Sequence, residues 1–157
     1  MTINQRAVAD PDTFAVRRTI RIAAPPEKVW TAVTEPEHIS RWFGRTVLIG
    51  GGVGAHGTIG WPDEPARPIR IEAIHPSRSV TYRWCNDDIG RVPDTVDDAP
   101  STVFTFTLEP TPDGTLLTVE ETGFEMTADP AGSLESHRQG WDDELDKLVS
   151  LLEGSSL

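Results

Sequence analysis

Apolar and polar positions alternate in short runs over most of this chain and give way, near its end, to a helical period. Phe14, Val16, Ile20 and Ile22 alternate with Ala15, Arg17, Thr19 and Arg21, a period-two strand. Arg18 interrupts its apolar face, which places that end at a rim. The run AAPPEKVWTAV follows, with prolines suited to a first helical turn, Glu27 at the positive end of the dipole, and a stripe of Val29, Trp30 and Val33. A second short helix after Pro36 carries Ile39, Trp42 and Phe43 and stops at Gly44. TVLI and HGTIGW then read as two strands joined by Gly50, Gly51, Gly52 and Gly54. Ile69, Ile71 and Ala73 alternate in a further strand, as do Val80, Tyr82 and Trp84 in the next.

The closing third is the most informative stretch. Thr102, Phe104, Phe106 and Leu108 share one strand face, Pro110, Pro112 and Asp113-Gly114 turn the chain, and TLLTVEET returns with Leu117 and Val119 on one face. A long helix begins near Asp129-Pro130 or Ser133 and carries Leu134, Trp141, Leu145, Leu148 and Leu152 on one stripe. Gly140 sits inside it at a cost of about 1 kcal/mol against Ala, which a close backbone approach to the sheet would explain. The order is strand, two short helices, five or six strands, long helix: an α+β arrangement in which a curved antiparallel sheet wraps a long C-terminal helix. Residues 1–12 are polar and read as a flexible N-terminal segment, and residues 13–154 as a single domain. A sheet closed by a terminal helix makes a shell with an interior, the architecture of a binder of small apolar molecules.

Composition narrows this. A net charge of −11 opposes nucleic-acid binding, whose footprint is basic. The single Cys85 excludes an internal disulfide and suits a reducing cytosol. The first residues lack the apolar core of a signal peptide, and no apolar run approaches the roughly 20 residues that span a bilayer. The expectation is a cytoplasmic protein, monomer or homodimer.

The chain resembles a known family. IAAPPEKVWTAVTEPEHISRWFG at 22–44, GGGVGAHGTI at 50–59 and IRIEAIHPSRSVTYRW at 69–84 carry the likeness, together with STVFTFTLEP, GTLLTVEETGF and HRQGWDDELDKLVSLLE at 101–110, 114–124 and 137–153. In this order they are similar to bacterial relatives of the activator of heat shock protein 90 ATPase, within the SRPBCC/START (Bet v 1-like) superfamily. The resemblance implies a helix-grip fold with a cavity between sheet and last helix. It implies no single activity, because carriers, polyketide cyclases and co-chaperone domains share the fold.

Candidate chemistry is sparse. The glycine cluster lacks the Lys-Ser or Lys-Thr and the following helix of a phosphate loop, and reads as a turn. Asp87, Asp88, Asp94, Asp97 and Asp98 lack calcium-loop spacing and read as a solvated loop. None of His38, His56, His75 and His137 stands at metal-ligand spacing with another His or with Cys85, so no metal and no cofactor is expected. The expected ligand-binding residues are Trp42, Tyr82, Trp84, Phe104, Phe106, His137, Arg138 and Trp141. The aromatics would form apolar walls. His137 and Arg138, between Leu134 and Trp141, would be polar anchors if the stripe faces a cavity, and solvated if the helix overhangs the rim. Three functions follow in order: a binder of a small hydrophobic molecule without a catalytic set, a polyketide cyclase/aromatase-like or hydrolase-like enzyme, and an interaction module with a chaperone or other protein partner in a stress response. No counterpart of the additional N-terminal domain of eukaryotic co-chaperones is expected within these 157 residues, which sets the third reading last.

Overall fold

The computed structural model describes residues 4–86 and 92–154. Among the described residues, eight strands form one antiparallel sheet: β1 (Val8–Asp10), β2 (Ala15–Ile22), β3 (Arg45–Ile49), β4 (His56–Gly60), β5 (Arg67–His75), β6 (Ser79–Trp84), β7 (Thr102–Thr111) and β8 (Gly114–Thr122). Their spatial order is β1-β2-β8-β7-β6-β5-β4-β3. The crossover from β2 to the far edge is made by α1 (Pro26–Thr34) and the single turn α2 (Pro36–Ile39). A 3-10 turn (Phe124–Met126) leads into α3 (Pro130–Gly154), which packs on β2, β1, α1 and that turn. The result is the curved open sheet and long C-terminal helix of a helix-grip fold.

Period-two alternation sets the inner face. Val16, Arg18, Ile20 and Ile22 of β2, Val80, Tyr82 and Trp84 of β6, Thr102, Phe104, Phe106 and Leu108 of β7, and Thr115, Leu117, Val119 and Glu121 of β8 are all buried. Leu134, Trp141, Leu145 and Leu148 of α3 close the core from the other side. The glycine-rich link between β3 and β4 is a turn, and Gly50, Gly52 and Gly54 hold positive φ there, where a Cβ would be strained. Among the described residues, no helix is long and apolar enough to cross a membrane.

Three sequence expectations change. The N-terminal segment is not loose throughout: Val8–Asp10 pairs with Ala15–Arg17 of β2, and the Ala7 amide donates to Asp142 Oδ1 at 2.6 Å. A three-residue strand has no readable period, and its anchor lies 135 residues away. Arg18 is not at a rim but 4% exposed. Its guanidinium donates to Gln5 O, to Trp141 O and Asp142 O of α3, and at 2.7 Å to Asp146 Oδ1, tying β2 to the helix. Gly140 makes no close approach to the sheet, since a Cβ built there meets nothing within 4 Å. It borders an open cleft instead.

Candidate functional site

The inner face of the sheet is too aromatic to leave a large interior. Phe43, carried inward by the turn after α2, stacks on Trp42 at 5.0 Å and lies 5.4 Å from both Trp61 and Trp141 and 5.6 Å from Trp84. Below it, Tyr82, Phe104, Phe106 and the flanking aliphatics enclose only about 10 Å³, the lower bound for a single water. Above it, between α3 and the ends of β4 and β6, a cleft of about 270 Å³ opens to solvent. Phe43, Trp61, Trp84 and Trp141 form its apolar walls, and Glu64, Asn86, Ser136, His137, Gly140 and Glu144 complete it. Phe43 borders both spaces and so divides them.

Beneath the cleft wall lies a buried charge. Glu121 continues the inward face of Leu117 and Val119 and is fully enclosed. Its Oε1 accepts from Trp141 Nε1 at 2.9 Å and from His137 Nδ1 at 2.8 Å. Its Oε2 accepts from Trp84 Nε1 at 2.8 Å and from Thr102 Oγ1 at 2.5 Å. Burial pushes this carboxyl up, but the charge and hydrogen bond of His137, with the bonds from Thr102 and Trp84, outweigh it and hold Glu121 below its ordinary value. The other ring nitrogen of His137 lies 3.1 Å from Asn86 O, which can only accept. With an acceptor at each nitrogen, both must carry hydrogen, so His137 is an imidazolium paired to Glu121. Its side chain is 10% exposed and borders the cleft.

Glu144 is the second perturbed acid. Burial pushes its carboxyl up, against Lys147 at 3.0 Å from Oε2 and Trp61 Nε1 at 3.4 Å from Oε1. Among the described residues, no group of three or more His, Cys, Asp and Glu side chains is placed to hold a metal. Of the aspartates between β6 and β7, Asp87 and Asp88 lie outside the described residues, and Asp97 pairs with Arg70 at 2.8 Å.

The structure divides the residues singled out from the sequence. Trp84, His137 and Trp141 meet at the cleft. Tyr82, Phe104 and Phe106 face inward but are packed into the core, and the Tyr82 hydroxyl donates to Val33 O at 2.6 Å. Burial raises that phenol far above its ordinary value, which removes it as an acid–base group. Trp42 is buried behind Phe43 and donates to Ala32 O at 2.8 Å. Arg138 does not border the cleft: it is clamped by Glu135 at 2.7 Å and Asp142 at 3.2 Å. Phe43, Trp61, Glu121 and Glu144 were not among the expected site residues. Glu121 had a signal, since it lies two and four residues beyond the inward Val119 and Leu117. Trp61 had one too, two residues beyond the inward Ile59 at the end of HGTIGW, whereas Phe43 lies in a turn where no strand period extends.

Comparison with known proteins fits this architecture. The family model described as Activator of Hsp90 ATPase homolog 1-like protein matches residues 23–153. Protein MLL2253 from Mesorhizobium loti is 29% identical with a TM-score of 0.74, over 91% of this chain and 99% of that one. DynU16, a putative protein in the dynemicin biosynthetic locus, is 26% identical with a TM-score of 0.70 over 92% of this chain, which spans about half of its length (49%). The Aha1 dimer from Colwellia psychrerythraea, at 21% identity and a TM-score of 0.68, over 88% of this chain and 96% of that one, shares the fold. No curated protein matches the chain.

Proposed function

The chain belongs to the Activator of Hsp90 ATPase homolog 1-like family, and from that premise we propose that it binds a small hydrophobic, aromatic molecule in the cleft between the sheet and α3. The observation that carries this reading is the open cleft of about 270 Å³ walled by Phe43, Trp61, Trp84 and Trp141. Its size lies just under the roughly 300–1,000 Å³ range of ligand sites, which suits a fused ring system rather than a sterol. The buried Glu121–His137 pair fixes two of those walls, because both indole N–H groups are bound to the carboxylate. Preorganised aromatic walls lose little entropy on binding.

A second reading, a polyketide cyclase/aromatase-like or hydrolase-like activity, is favoured by His137. As a general acid its Nε2–H would have to leave Asn86 O, 3.1 Å away, and turn to a substrate in the cleft, with Glu121 holding the other nitrogen. A chaperone or other protein partner, or a second copy, would find Val47 and Ile49 exposed on the edge strand β3.

Thermal shift against a library of small aromatic compounds, beside native mass spectrometry of the purified protein, tests the binding reading. A ligand held at 100 times its dissociation constant stabilises by roughly 2.7 kcal/mol. Gly140→Phe directs a ring into the cleft from a position with no neighbour within 4 Å, and is expected to abolish that stabilisation while the helix persists. The proposal falls if no compound stabilises the wild type, or if Gly140→Phe leaves the response intact.

A further inference from the structure

The polar groups around the cleft are asymmetric in charge. Among the described residues, no lysine or arginine borders it, while Glu64 and Glu144 do. Among the described residues the cation at the wall is His137, whose two N–H groups are directed at Glu121 and at Asn86 O. Arg138, the other polar anchor expected from the sequence, is paired on the flank of α3 with Glu135 and Asp142. Lys147 engages Glu144 through Oε2, leaving Oε1 with the longer 3.4 Å contact from Trp61. Tryptophan faces attract cations, an attraction of roughly 0.5–2 kcal/mol that grows as water is excluded.

The geometry points to a cationic aromatic ligand, a flat ring bearing a protonated amine, with the ring between Trp61, Trp84, Phe43 and Trp141 and the ammonium at Glu144 and Glu64. This inference rests on the reading of the cleft as a binding site. Burial of Glu144 adds to it, because an incoming cation relieves a carboxylate that the surrounding protein disfavours. An anionic head group would meet the opposite: two carboxylates and, among the described residues, no lysine or arginine at the cleft.

Three probes of one ring and one chain length separate charge from hydrophobicity: tryptamine, the neutral tryptophol and the anionic indole-3-propionate. Each is titrated into nitrogen-15-labelled protein while the indole N–H signals of Trp61, Trp84 and Trp141 are followed. Ionic strength is held at about 0.15 M, where the net charge of the distant surface is screened. Tryptamine is expected to bind roughly tenfold more tightly than indole-3-propionate, with tryptophol between them. Glu64→Gln with Glu144→Gln should bring tryptamine to the affinity that tryptophol has for the same variant. Glu64→Gln alone, at an exposed position, gives the same direction if the double variant does not fold. Equal or tighter binding of indole-3-propionate overturns the charge assignment and leaves aromatic binding standing, as does a tryptamine affinity that the glutamine variants do not change. Silence of all three indole signals toward all three probes overturns both.

Discussion

Replacing Glu121 with Gln changes one atom at the centre of the structure and tests whether the buried ion pair holds the cleft wall. In the native protein the carboxylate takes four hydrogen bonds, from Trp84, Trp141, Thr102 and His137. An amide has one acceptor oxygen, and its NH₂ must face donors on one side. The least costly placement puts the NH₂ toward Thr102, whose hydroxyl can turn to accept, while Trp84 keeps the Thr102 oxygen at 3.0 Å. His137 then loses its counter-charge while buried against Trp84 and Phe124. Removing one partner of a buried pair costs about 3–5 kcal/mol, against a total stability of roughly 5–15 kcal/mol. With a urea m-value of about 2 kcal/mol per molar, the midpoint should fall by about 2 M. The assay is equilibrium urea unfolding at pH 7, read by tryptophan fluorescence. Acid provides a second arm. The folded value of Glu121 lies below its ordinary 4.5, so its contribution is present above pH 4.5 and is lost as pH falls through the depressed folded value. The difference in stability between wild type and Glu121→Gln should therefore shrink below pH 4.5. A loss under about 1 kcal/mol at pH 7, or a difference that grows in acid, would falsify the ion-pair account. Should Glu121→Gln fail to fold, Thr102→Val removes a single one of the four bonds and should cost about 1–3 kcal/mol.

Two further substitutions probe what ties α3 to the sheet and what the cleft leaves empty. Arg18→Met keeps the aliphatic stem but removes the guanidinium that binds Gln5 O, two α3 carbonyls and Asp146. It should cost about 3 kcal/mol in urea unfolding and speed amide exchange in Val8–Asp10; unchanged exchange there would show that β1 is held by pairing alone. Gly140→Ala should stabilise the protein by about 1 kcal/mol, because the added methyl enters open space, and a lower melting temperature would contradict that geometry.

Much of the fold was legible from local pattern. The alternation in β2, β6, β7 and β8 and the stripe of Leu134, Trp141, Leu145 and Leu148 needed only the periods of strand and helix. The same alternation placed Tyr82, Phe104 and Phe106 on the inner side, yet it does not distinguish lining a cavity from filling one. That depends on Phe43, a turn residue whose ring occupies the space between them and the solvent. The site was less legible. His137 and Arg138 are adjacent on one helix and indistinguishable by spacing, but the helix turns about 100° per residue, enough to send one to Glu121 and the other to Glu135.

By itself, the sequence determined which segments other than β1 are strands and helices, which face of each is apolar and which family the chain resembles, because the periods that show these run through residues close in the chain. Only the tertiary structure decided that Arg18 and Glu121 are buried and satisfied, that the interior is filled and that the open space lies above Phe43. Each of those outcomes is set by partners far apart in sequence: Arg18 with Asp146, Glu121 with Trp84 and Trp61 with Glu144. A charged residue on an apolar face reads as a rim until its counter-charge is located, and that counter-charge has no fixed distance along the chain.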